Sequence, residues 1–415
     1  VLSLRLARGS HPLVLLRRLL VACASAGVGF LLLTALGHAS PGQLLWCAAP
    51  LAATVHFAVA VARTDPYAKP SPGLSSAGFG PAAAPVVAAV TTAASCLLGS
   101  LLALLLFLHL RGELSGLPFD GAAAGPLGAG GPLPVVGTLT LLAFVPALAA
   151  AASAASLRPR RHRRAAAQGS AAAAARLRAR REAADASGGP ADGAVDVPRP
   201  GSAQGDDPLI PADLPWGTAL ASTGLALGAY AGGFAGAGED AALKLPLPGG
   251  SGDAAPAVVA SWALVAAGLI LAGPGIVHLC GRLLCVLRPG ALRLLAGRVL
   301  QQEAPRVGRP VGALCAVATG GVLSVLVWPD GDDARPLGPL TSLGAGLVVG
   351  CALATVCMAA LEAKRARSHT TTALLRLGAS PRFLRRAALL RTAVLLAVFG
   401  PLAAGLGELA SLPLQ

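Results

Sequence analysis

Side chains able to do chemistry are sparse in this chain, and none is spaced for catalysis. The 8 cysteines (Cys23, Cys47, Cys96, Cys280, Cys285, Cys315, Cys351 and Cys357) contain no CxxC pair, so they read as small packing residues before disulfides or metal ligands. Of the 7 histidines only His56 falls well inside an apolar stretch, while His38, His109 and His278 stand near the ends of such stretches. A lone imidazole among apolar neighbours reads first as packing and second as a proton relay. No Walker-type phosphate loop, HExxH, GxSxG or dense His/Cys/Asp/Glu cluster occurs. The expectation is a chain with no catalytic site, no cofactor and no metal of its own, so that energy for any uphill step enters through a partner.

The elements around these residues are set by composition. Of 415 residues, 54% are hydrophobic and 13% charged, against roughly 25% charged in a soluble domain. Nine stretches approach the ~20 apolar residues that cross a bilayer: 19–38, 44–62, 86–110, 135–156, 216–236, 256–279, 311–328, 340–361 and 388–409. The weakest are the fourth, with Pro146, the fifth, rich in Gly, and the ninth, with Gly400 and Pro401. The first follows a basic segment, but its length and the lack of a small-residue cleavage site make it an anchor rather than a signal peptide. An all-α integral membrane protein of about nine transmembrane helices is expected.

Of 33 Lys and Arg, only Arg111, Lys244 and Arg335 fall on one side of these spans. Positive loops stay in the cytoplasm, which puts the N-terminus inside and, after nine spans, the C-terminus outside. The high positive charge is thus a signature of topology. The arm from Arg158 to Arg164, followed by Arg176, Arg178, Arg180 and Arg181, reads as a basic segment beside an anionic leaflet, and no nucleic-acid partner is expected.

Residues 157–215 hold almost no large apolar side chains and read as a disordered cytoplasmic linker. They separate a four-span unit, 1–156, from two linking spans, 216–279, and a C-terminal unit, 280–415. Residues 280–310 interleave Leu and Arg around Pro289, which suits an amphipathic helix at the inner interface or a solvated connector. Gly224, Gly228, Gly232 and Gly236 repeat at GxxxG spacing, as do Gly346 and Gly350. Such faces let helices approach closely, within the chain or as a seam between two copies. Trp46, Trp216 and Trp328 fit interfacial anchors.

Between the eighth and ninth spans lies the most informative segment. The eighth span runs on as a charged helix, a short helix through Thr372, Leu374, Leu375, Arg376 and Leu377 is stopped by Gly378, and after Ala379 a new helix opens with Ser380 as N-cap and Pro381 at its first position. The leucines give this elbow an apolar side, and Arg376, Arg382, Arg385 and Arg386 a charged one. It can grip a docking partner or rest its leucines on the bilayer.

The stretch LEAKRARSHTTTALLRLGASPRFLRRAALLRTAVLLAV resembles the signature loop of FtsX-like permeases, the MacB-type transmembrane subunits of ABC transporters. The match is good over 361–398 and looser over 280–328. Members of ten spans are arranged four, two and four; here four, two and three are found, and the chain stops after Gln415 without a tenth. The resemblance implies that Thr372, Leu374, Leu375, Arg376, Leu377, Gly378, Ala379, Ser380 and Pro381 couple to a separate cytoplasmic P-loop ATPase, which binds the ATP. It also implies a bacterial cytoplasmic membrane, export or extraction of a lipid-like, peptide or drug-like substrate, and a homodimer or second permease as companion. The corresponding front loop, 63–85, lacks the leucines, and the outer loops are short. These departures suit the alternative of a non-transporting scaffold or sensor; a secondary transporter is the third reading.

Overall fold

In the computed structural model, the described residues are 12–37, 41–64, 83–113, 121–124, 127, 134–157, 213–234, 245–246, 253–286, 290–327, 338–376, 378 and 380–412. The basic arm and the rest of the expected linker, from 158 to 212, lie outside them, as do Trp328 and Gly236.

Among the described residues, eight helices are long and apolar enough to cross a membrane. These are α1 (Pro12–Gly37), α3 (Ala48–Thr64, entered through the short α2, Pro41–Trp46), α4 (Ala83–Arg111), α5 (Val135–Leu157), α7 (Pro256–Val286), α8 (Ala291–Val327), α9 (Pro339–Ala366) and α11 (Pro381–Ser411). The ninth expected span is also a helix, α6 (Asp213–Phe234), but its Gly, Ser and Thr leave it less apolar than the others. The remaining elements are α10 (Ser368–Arg376) and a two-residue antiparallel pair, β1 (Leu245–Pro246) with β2 (Asp253–Ala254). The chain is an all-α integral membrane protein.

Helices follow from the solvent: in hydrocarbon every backbone N–H and C=O needs an internal partner. Prolines that would break a soluble helix are carried inside α5 (Pro146), α7 (Pro274), α8 (Pro305 and Pro310) and α11 (Pro401).

Residues 280–310 correct the expectation of a separate interfacial helix. α7 continues to Val286, and α8 runs unbroken from Ala291 to Val327. At 1.5 Å per residue α8 is roughly 55 Å long, well beyond a hydrocarbon core of about 30 Å. Its arginine-bearing first half therefore projects past the apolar layer as the return arm of a hairpin with α7. Glycine permits that hairpin: Gly281 lies against Gly297, and a Cβ at Gly308 would strike the backbone of Pro274.

The α6 stripe closes on α7. A Cβ on Gly224 would come within 2.8 Å of the Ser261 carbonyl, and one on Gly217 would meet the Ala272 backbone. Gly228 is buried in line with them, and Gly232 lies in the same helix. Gly346 and Gly350 do not pack in this way. Both are exposed on α9, and a Cβ on either meets nothing within 4 Å. GxxxG spacing sets a face on a helix without fixing what covers it, and within this chain the α9 face stays open.

Two cores result. The rear core joins α6, α7, α8 and α11 through Val265, Leu269, Val277, Leu300, Cys315, Phe399 and Ala403. The front core joins α1, α3, α4 and α5, with Phe30 and Phe107 edge to face at 6.0 Å. α9 belongs to the rear by sequence but packs on α1, α3 and α8, where Cys351 and Met358 join Val21, Phe57 and Ala58 in one cluster. The linker thus divides the sequence without dividing the packing.

Candidate docking elbow and arginine-rich end

The elbow is built as its residues suggest. α9 ends at Ala366 beyond Lys364 and Arg365, and Arg367 makes the break, its N–H reaching back to the Ala363 carbonyl at 3.2 Å. α10 follows, and Thr372 returns its hydroxyl to the Ser368 carbonyl at 2.8 Å. Gly378 then adopts φ +90°, the left-handed region where a Cβ is strained, and donates to the Leu375 carbonyl at 3.1 Å. Ser380 caps α11 by accepting the Phe383 N–H at 3.2 Å, with Pro381 at the first helical position. Thr372, Leu374, Leu375 and Arg376 lie in α10, whereas Leu377 and Ala379 fall outside the described residues.

Polarity and charge, rather than exposure, distinguish this segment from the helices around it, whose outward leucines are as open (Leu353 49% and Leu389 69% exposed). Leu375 is 43% exposed, and Thr372, Arg376, Gly378, Ser380, Pro381, Arg382, Arg385 and Arg386 are all exposed. α10 packs on α9 through only a few residues at their junction. It is a short arm held by its ends.

An ion-pair cluster anchors the base of that arm. Glu303 of α8 places Oε1 2.7 Å from Nε of Arg367 and Oε2 3.5 Å from Nη1 of Arg391 on α11. The Arg367 Nε–H points to the Ala363 carbonyl at 3.1 Å, so its contact with the carboxylate is electrostatic rather than a second well-aimed hydrogen bond. Burial matters here: the Glu303 side chain is 14% exposed, where attraction is far less screened than at a surface. One carboxylate thereby joins α8, the α9–α10 junction and α11.

Sequence reasoning about the coupling segment stopped at the elbow and missed Glu303. The signal was Arg391, a guanidinium just inside the last span, which demands a counter-charge from another helix. Beside the cluster, the helix ends of the front and rear parts converge on a cleft of about 290 Å³ lined by Arg17, Thr64, Arg306, Glu362, Arg365 and Ala366.

The other chemistry-bearing residues stay apart. Nε2 of His56 on α3 is buried without a hydrogen-bond partner. All eight cysteines are free thiols; Cys47, Cys96, Cys280, Cys315 and Cys351 are buried, as a packing role requires, whereas Cys23 and Cys357 are exposed. Trp46 contacts Trp262 with ring centroids 6.4 Å apart, and Trp216 is exposed at the start of α6. Among the described residues no three His, Cys, Asp or Glu side chains converge as a metal site would need. No family model, no curated protein and no solved structure matches this chain.

Proposed function

We propose that this chain is the transmembrane permease subunit of an ABC transporter of FtsX-like type, seated in a bacterial cytoplasmic membrane with its arginine-rich end in the cytoplasm. A separate P-loop ATPase docks on α10 and the Gly378–Pro381 turn, and its nucleotide cycle drives export or extraction of a lipid-like, peptide or drug-like substrate. The observation that carries this reading is the elbow: an exposed short helix, a left-handed glycine stop and a capped long helix, all based on a partly buried ion-pair cluster. Such an arm offers a leucine-bearing knob to a partner while its base stays fixed. The bias of Lys and Arg toward that end supports the sidedness.

The test is purification of the tagged chain from its native host in mild detergent, followed by mass spectrometry of what accompanies it. A stoichiometric P-loop ATPase is expected, lost in Leu374→Asp and Leu375→Asp while membrane insertion is unchanged. Undiminished association in both variants would remove the elbow from the proposal. The front loop 63–85, which lacks the leucines, favours a second reading, a non-transporting scaffold or sensor. Recovery with a membrane partner that is not an ATPase would select it.

A further inference from the structure

The cleft at the arginine-rich end unites parts of the chain far apart in sequence. Arg17 comes from the start of α1, Thr64 from the end of α3, Arg306 from the projecting half of α8, and Glu362, Arg365 and Ala366 from the end of α9. Three guanidiniums thus face one carboxylate in a space of about 290 Å³, large enough for a phosphate group with substituents. Arg17 is only 4% exposed, so one of the three charges is held inside the protein, while Arg306 and Arg365 reach the cleft from exposed positions. The Thr64 hydroxyl donates to the Val61 carbonyl at 2.8 Å, so the donors to an anion are the rim guanidiniums of Arg306 and Arg365. Forked guanidinium donors match phosphate oxygens in geometry and charge.

The surroundings indicate the source of that phosphate. The cleft stands at the ends of spans: Arg17 is near the first residues of the α1 span, Thr64 ends the α3 span and Ala366 ends the α9 span. A charged cleft at the ends of spanning helices lies at headgroup depth and is suited to a ligand with an anionic head and an apolar tail.

We propose that this cleft binds the phosphate of an anionic phospholipid headgroup, with Arg306 and Arg365 gripping it from the rim and Arg17 supplying charge from within. The proposal requires that the helices cross a membrane and does not depend on the ATPase, so either reading can fail without the other.

The test uses the full chain in nanodiscs of phosphatidylglycerol and phosphatidylcholine in equal amounts, with retained lipid read by native mass spectrometry. Wild type should retain phosphatidylglycerol preferentially. Arg306→Gln with Arg365→Gln should lower that preference by roughly tenfold, whereas Arg298→Gln with Lys364→Gln, which removes equal charge from exposed positions that do not line the cleft, should leave it unchanged. Both double variants spare the buried Arg17, and a folded elution profile for each makes the comparison valid. Equal retention of the two lipids by wild type, or equal loss in both double variants, would overturn the site. Protection of Arg306 and Arg365 from phenylglyoxal by inorganic phosphate but not by phosphatidylglycerol would overturn the lipid assignment in favour of a soluble phosphate.

Discussion

Two glycine stripes of the same spacing behave in opposite ways. On α6 the stripe is pressed onto α7, where Gly217 and Gly224 bring backbone against backbone; on α9, Gly346 and Gly350 meet open space. The contrast extends across the rear part. Gly268, Gly273, Gly281, Gly297, Gly308 and Gly312 are all pinned among α6, α7 and α8, and Gly407 of α11 against Val322, whereas Gly320, Gly321, Gly400 and Gly405 are open. Glycine spacing therefore marks where close approach is permitted, and the facing helix decides whether it happens. One side of the rear part is a fixed block of three helices, and the other carries the elbow and exposed faces.

The largest expected effect breaks the block. Gly308→Leu or Gly268→Leu should cost about 3 kcal/mol or more, read as loss of a monodisperse elution peak in detergent; a folded peak with unchanged melting would mean that the helices are not seated this closely. Next is the tie between block and elbow. Glu303→Gln removes the carboxylate between Arg367 and Arg391 and should lower stability by roughly 2 kcal/mol, with a matching fall in Tm, and Glu303→Asp should recover part of it. Within the elbow, Gly378→Ala places a Cβ at φ +90° and should cost about 1 kcal/mol. Ser380→Ala, which removes an exposed helix cap, should cost about 0.5 kcal/mol. The smallest effect belongs to the open stripe: Gly346→Leu with Gly350→Leu should change monomer stability by roughly 0.5 kcal/mol or less. A large loss there, or a change in crosslinked dimer yield, would show that the face is covered by a second copy.

Much of this was legible in the sequence, for identifiable reasons. Spans reveal themselves because hydrocarbon demands long apolar helices, and eight of the nine expected stretches are helices of that kind; 216–236 is a helix, Asp213–Phe234, but falls short in apolarity. The elbow was legible because Gly378, Ser380 and Pro381 act through local backbone chemistry, which needs no tertiary partner. What could not be read was the meeting of distant elements. Glu303 finds Arg367 and Arg391 only once α8, α9 and α11 converge, and neither hydropathy nor spacing encodes that convergence. The seating of α9 against α1 and α3 was hidden for the same reason. The interfacial helix expected over 280–310 has a different origin: Leu and Arg interleaved around Pro289 read as a surface segment apart from the spans, yet the stretch from Ala291 continues unbroken as α8 to Val327.

The Glu303 cluster has a mechanical consequence. A pull on α10 travels covalently into α9 through Arg367 and electrostatically into α8 and α11 through the shared carboxylate, so three rods take up strain together at one end of the molecule. Because α8 is roughly 55 Å long and locked to α7 by glycine contacts, a small tilt at the Glu303 end becomes a larger sweep at Val327. The cluster is the fulcrum of a lever, and weakening it should uncouple the two ends of the protein before it unfolds either of them.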